Sequence, residues 1–186
     1  HMKLRLSHGV MGDDAAARGF EFMPGYTYPS GSYLFSQSKL VSGAASKGLA
    51  NPNITWYTAT TTNIGLDFDL FKSKIFGQLD IFQRKRNGLL ATRADALPSE
   101  FGASLPQENL ESDLSKGFEL ELGHKNVIGG KWSYSVSGNI TWTRSKWLFR
   151  EVAPYGSSYS KWRNASADRW KNMRWGYGFV GQFQNQ

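Results

Sequence analysis

Apolar and polar residues alternate with a period of two along much of the chain, the spacing of a β-strand whose two faces meet different surroundings. From Asn63 to Phe71, Ile64, Leu66, Phe68 and Leu70 share one side, while Gly65, Asp67 and Asp69 share the other. Lys72-Ser73 reads as a tight turn. Beyond it Ile75, Gly77, Leu79 and Ile81 point one way, and Phe76, Gln78, Asp80 and Phe82 the other. The pattern predicts a hairpin with two long arms. Further on, Phe118, Leu120 and Leu122 alternate with Glu119 and Glu121. After a turn over residues 126–130, Trp132, Tyr134, Val136, Gly138, Ile140 and Trp142 alternate with Ser133, Ser135, Ser137, Asn139 and Thr141. This last arm is about twice the usual strand length of about 5–6 residues and matches the roughly 9–11 residues of a transmembrane strand.

The contents of the faces sharpen the picture. One face carries Trp132 and Tyr134 near one end and Trp142 near the other, with Val136, Gly138 and Ile140 between them. Aromatic residues bounding an apolar strip are the pattern of a membrane barrel's girdles. A soluble β-sandwich would bury such a face too, so the two hairpins alone leave barrel and sandwich level. Connection length favours the barrel. The turns at Lys72-Ser73 and 126–130 are short, whereas the stretch from Thr92 to Ser115, with Leu97-Pro98 and Leu105-Pro106 inside it, reads as one long loop. Short turns at one end and long loops at the other are a barrel trait. The expected fold is all-β, an antiparallel meander of long hairpins. The expected lipid-facing residues are Ile64, Leu66, Phe68, Leu70, Leu79, Ile81, Phe118, Leu120, Leu122, Trp132, Tyr134, Val136, Ile140 and Trp142. Asp67, Asp69, Asp80, Glu119, Glu121 and Asn139 are expected to face the lumen.

Elsewhere the pattern is weaker. Lys3 to His8 alternates as a strand, and a turn with Asp13-Asp14 follows. Phe20 to Tyr28 reads as a strand with Tyr33-Leu34-Phe35 as its partner, and Gly43 to Pro52 as loop. Residues 152–172 show no period, and Trp175 to Phe183 reads as a strand or an inward loop. No domain boundary or internal repeat breaks the chain. His1-Met2 resembles a tag remnant and is set aside, leaving 3–186 as a single unit.

Composition changes little. No run approaches 18 apolar residues, which excludes a membrane-spanning helix but not a barrel, and a mean hydropathy of −0.47 suits alternating strands. The net charge is +7, spread along the chain; Arg84-Lys85-Arg86 and the stretch from Lys161 to Arg174 read as solvated strand ends or loops, with no nucleic-acid module beside them. Without cysteine, neither disulfides nor thiolate metal sites arise. His8 and His124 are lone, and Asp13-Asp14 lacks the further oxygen ligands Ca²⁺ needs. No phosphate loop, zinc helix or catalytic triad spacing occurs. Strand carboxylates read as lumen lining rather than a glycosidase pair. The chain is expected to carry no catalytic, cofactor or metal site and not to be an enzyme.

Several segments, in order, carry a resemblance: Leu49-Ala50-Asn51-Pro52-Asn53-Ile54-Thr55-Trp56 with Thr61 to Phe68, then Asp80-Ile81-Phe82, Arg84-Lys85 and Leu89-Leu90. Leu97-Pro98, Phe101-Gly102 and Gln107-Glu108-Asn109 follow, then Lys116 to Leu122, Tyr134 to Asn139, Gly176-Tyr177 and Gly181 to Gln184. Together they resemble the C-terminal half of barrels of the SusC/RagA family of TonB-dependent receptors. Glu111 after Asn109-Leu110, Ser115 before Lys116, and Val180 before Gly181 depart from the family pattern. The resemblance implies a barrel of about 22 strands around a plug in the outer membrane of a Gram-negative bacterium. It also implies import of glycans or peptides, with energy passed through TonB and a SusD-like surface lipoprotein as partner. The chain is then a barrel fragment, expected to close on itself or oligomerise when isolated. The alternative is a soluble β-sandwich that binds carbohydrate on exposed aromatics.

Overall fold

The computed structural model describes residues 1–14, 19–36, 39–94, 97–176, 178 and 181. Seven strands follow one another: β1 (Met2–Asp13), β2 (Tyr26–Ser36), β3 (Lys39–Ser46), β4 (Tyr57–Leu70), β5 (Ile75–Thr92), β6 (Gln107–Ile128) and β7 (Trp132–Phe149). A short helix, α1 (Ser158–Asn164), comes last, its first turn capped by the Ser157 hydroxyl accepting from the Ser160 amide. Five strands form one antiparallel sheet in the order β1-β4-β5-β6-β7; β2 and β3 pair separately as a two-stranded ribbon. The expected all-β meander of long hairpins is what forms. The sheet is not closed: β1 and β7 are its two edges.

The register explains why the alternation is so long. Directly opposed residues in an antiparallel pair share a face. Leu4, Leu66, Leu79, Leu120 and Ile140 make one continuous row across all five strands, and Leu6, Ile64, Ile81, Phe118 and Trp142 make the next. On the other face Arg5, Gly65, Asp80, Glu119 and Thr141 form a row. A slip of one residue would turn every apolar row to the polar side, so the pattern itself locks the pairing. Gly77, Gly117 and Gly123 of the sheet sit against aromatic rings. A Cβ at Gly77 would stand 2.8 Å from Phe68 Cζ, and one at Gly117 2.8 Å from Phe82 Cζ. A side chain at either position would collide with the ring.

Connections follow the expected asymmetry with shifted limits. Four residues, Phe71 to Lys74, join β4 to β5, and Gly129 to Lys131 join β6 to β7. The loop after β5 is shorter than the pattern indicated: Gln107–Ser115 belong to β6, so only 93–106 connect the strands. Polar residues face both sides there, which hides the period. Tyr26–Tyr28 and Tyr33–Phe35 are one strand, not partners; the partner is Lys39–Ser46, whose last four residues fall in the stretch expected as loop. Bulges in that ribbon break its alternation. Met2 opens β1, opposite Phe68, rather than lying outside the fold. Most of Trp175 to Phe183 lies outside the described residues.

Burial separates this sheet from a globular domain. The accessible surface is 14850 Å², where a compact chain of this mass would expose roughly 9,000 Å². Among the described residues only Tyr57 and Ala59 are buried hydrophobics, while Trp132, Val136 and Ile140 are more than half exposed. A sandwich packs a second sheet onto the apolar face; among the described residues no sheet covers it, and the sandwich alternative is not supported.

Candidate functional site

The two faces of the five-stranded sheet are chemically unlike, and this difference is the candidate site. Ile64, Leu66, Phe68 and Leu70 of β4, Leu79 and Ile81 of β5, Phe118, Leu120 and Leu122 of β6, and Trp132, Tyr134, Val136, Ile140 and Trp142 of β7 all stand on one face. Leu4 and Leu6 of β1 join them. From the row ending in Trp132 up to the row ending in Trp142, that face carries no charged residue; His124 and Asn126, near the short-turn end, are its polar members. Phe118 and Trp142 stack at 6.0 Å, and His124 and Tyr134 pair at 5.5 Å. Trp142 lies ten positions after Trp132. At about 3.3 Å per residue and a tilt of about 45°, their separation along a barrel axis is about 23 Å, close to the roughly 25 Å height of a barrel's apolar band.

Asp67, Asp69, Asp80, Glu119, Glu121 and Asn139 all stand on the opposite face. Three are held. Arg5 donates to Asp67 Oδ2 at 3.1 Å, to Asp67 Oδ1 at 2.8 Å and to Asp80 Oδ2 at 2.8 Å. Ser73 donates to Asp69 at 2.7 Å, tying the carboxylate to the short turn. Asp80 is buried, and its Oδ1 has no partner. Glu119 and Glu121 remain exposed.

A second network lies beyond the apolar band, toward the long loops. Asp113 is 1% exposed. It accepts from Arg86 Nε at 2.8 Å and from Lys171, brought in by the segment after α1. That segment adds to the β7 edge through Lys171 N donating to Ser145 O and the bridge between Lys146 and Trp170. Burial works against the Asp113 charge, and hydrogen bonds from the two cations outweigh it, holding the carboxyl below its ordinary value. Arg86 also lies over the ring of Tyr57, whose hydroxyl donates to Asp13. The loops are pinned too: Asn109 donates to Thr55 O and to Gly88 O, each at 2.7 Å, and accepts from Thr55 N. Gly88 has φ +75° at the bulge of β5, a conformation suited to glycine.

Sequence reading missed Arg5, Arg86, Asp113 and Lys171 as network members. Alternation places each on a face, but their partners come from other strands, and only the register joins them. Among the described residues no group of His, Asp and Glu could hold a metal ion.

The family model described as "TonB dependent receptor-like, beta-barrel" matches residues 15–186. The TonB-dependent receptor SusC of Bacteroides thetaiotaomicron is 29% identical over 152 residues, covering 78% of this chain and 14% of that protein. TonB-dependent receptor P26 of Formosa agariphila is 28% identical over 152 residues, covering 79% and 14%. The structure of the RagAB peptide importer in its "closed-closed" state superposes with a TM-score of 0.65 at 18% identity, over 83% of this chain and 16% of that one, and so supports the fold. The chain thus spans about one seventh of the curated relatives it matches. An open, coreless sheet with one apolar and one charged face is what one sector of such a barrel requires, and this chain belongs to the TonB-dependent receptor β-barrel family.

Proposed function

We propose that this chain forms part of the barrel wall of an outer-membrane importer in a Gram-negative bacterium, with its apolar face against lipid and its charged face toward the lumen. The observation that carries this is the segregation of charge: the rows between Trp132 and Trp142 are uncharged on one face and carry Arg5, Asp67, Asp80, Glu119 and Glu121 on the other. A charge within the hydrocarbon is costly, and a wet lumen accepts it. Short turns face the periplasm and the long connections the outside, the general barrel arrangement.

Transport follows from the parent protein rather than from the sector. The receptor names of the relatives support energy through TonB, the RagAB importer supports a peptide as cargo, and the resemblance to SusC/RagA-type barrels adds a glycan as the other cargo class and a SusD-like lipoprotein over the outer loops. The family is one of transporters and receptors, and the wall needs no catalytic group. The partly held carboxylates of the lumen face would meet cargo or plug as hydrogen-bond acceptors.

The test is topological. In cells making the full-length receptor, Asn139→Cys reacts with a membrane-impermeant maleimide added to permeabilised cells, and Ile140→Cys, one residue on, reacts only with a lipid-soluble reagent. Equal reaction of both with the water-soluble reagent overturns the assignment.

A further inference from the structure

We propose that the apolar face ends, on its long-loop side, in a binding site for the phosphate of an outer-leaflet lipid, built by Lys85, Lys116 and Arg144 with Lys146 beside them. The proposal rests on the wall assignment above.

The site comes from the two rows directly above the Phe118–Trp142 level. The first runs through Gln83, Lys116 and Arg144, and the second through Lys85, Leu114 and Lys146. All four cations share the face of Ile81, Phe118 and Trp142. From strand and residue spacing they cover about 10 Å across the sheet and about 7 Å along it, the scale of a phosphorylated headgroup. On this face no carboxylate stands between the Met2 row and the Thr60–Lys146 row; every sheet carboxylate in that range is on the other face. Asp168, from the segment after α1, pairs with Lys146 at 3.2 Å, so Lys146 is the least available of the four. Lys85, Lys116 and Arg144 are exposed.

Two features favour lipid over a free anion or a protein. Lys116 lines the rim of an open apolar groove of about 600 Å³ that includes Ile64, Leu79, Ile81, Phe118 and Trp142, and Lys85 and Arg144 stand on the strands either side of Lys116. A headgroup on the cations would therefore leave its acyl chain in the groove. The ring of Trp170 also lies against two of the cations, 4.5 Å from Arg144 Cζ and 5.6 Å from Lys116 Nζ. Such a contact steadies a cation without neutralising its charge. Clustered cations at a membrane surface attract anionic headgroups, each adding to the affinity.

The experiment uses the full-length receptor in a neutral maltoside detergent, titrated with doubly phosphorylated lipid A and read by native mass spectrometry. The triple variant Lys85→Gln, Lys116→Gln, Arg144→Gln should bind at least tenfold more weakly. Dephosphorylated lipid A should bind the unaltered protein as weakly as that variant binds the phosphorylated form, and excess inorganic phosphate should not displace the lipid. Lys131→Gln, at the short-turn end, should change nothing. Should the triple variant fail to fold, the charge-retaining pair Lys116→Arg and Arg144→Lys must keep the affinity, and Lys85→Gln with Arg144→Gln must lower it. Unchanged binding by the charge-removed variants, equal binding of dephosphorylated lipid, or displacement by inorganic phosphate overturns the site. In those cases Ile140→Cys still reports lipid if the wall assignment holds; if that cysteine reacts from water, the wall assignment itself has failed.

Discussion

The guanidinium of Arg5 fills the space that a side chain at Gly65 would occupy: a Cβ there would lie 2.7 Å from Arg5 Cζ and 2.7 Å from Asp80 Oδ1. Gly65 stands between Arg5 and Asp80 in one row of the sheet, so its missing side chain lets a cation on β1 reach across β4 to a carboxylate on β5. Gly65→Val should expel the guanidinium and destabilise the barrel by about 1–3 kcal/mol, the usual range for overpacking. Urea unfolding from phosphatidylcholine vesicles measures this. Arg5→Gln should add little in the Gly65→Val background, because the contact is already broken; full additivity of the two changes would show that Gly65 does not serve Arg5.

Val136 and Ser137 are adjacent and stand on opposite faces, near mid-height between Trp132 and Trp142. On the proposed wall assignment Val136→Arg should cost about 2–4 kcal/mol, the value for a cation at the bilayer midplane, and Ser137→Arg less than about 1 kcal/mol, because a wet lumen would hydrate it. The same vesicle titration compares them. Equal costs would mean that the sheet does not separate lipid from water.

Asp113 supplies the pH dependence. Its carboxyl titrates below the ordinary aspartate value in the folded protein. A depressed folded value means its stabilisation is complete above the unfolded value of about 3.9 and is lost as pH falls through the folded one. The acid limb of the stability profile should therefore steepen below about pH 4. Asp113→Asn should flatten that limb and cost about 2–4 kcal/mol at neutral pH, since Arg86 and Lys171 would then face each other across a neutral group. Stability against pH, followed by heat-modifiable gel mobility, decides it. An acid limb unchanged by the substitution would show that another carboxylate governs it.

These networks mark where sequence legibility stops. The apolar rows were readable because a period of two persists through Ile64, Leu66, Phe68 and Leu70 and again from Trp132 to Trp142, and nothing but a strand with unlike faces sustains it. The start of β6 was not, because Gln107 to Asp113 lie beyond the apolar band, where both faces meet polar surroundings and alternation carries no signal. Asp113 looks like any loop acid in the sequence. One of its two cationic partners, Lys171, lies 58 residues on and comes in at the edge of β7. The β2–β3 ribbon was misread for a related reason: its bulges shift the phase of the pattern.

A stable soluble monomer seldom exposes more than a few hundred Å² of continuous apolar surface. Here the rows from Leu4 to Ile140 and from Leu6 to Trp142 lie open, and both β1 and β7 leave sheet edges to pair. Without detergent, the 20.9 kDa chain should run in light scattering as oligomers, through edge-to-edge pairing, face-to-face stacking of apolar sheets, or both. Adding detergent should shrink the particles by covering the apolar face, and an Ile140→Lys, Val136→Lys pair should do the same without it. A monodisperse monomer in plain buffer that keeps Ile140 accessible to water-soluble quenchers would contradict this, because it would show the apolar face to be stable in water without lipid or a second copy.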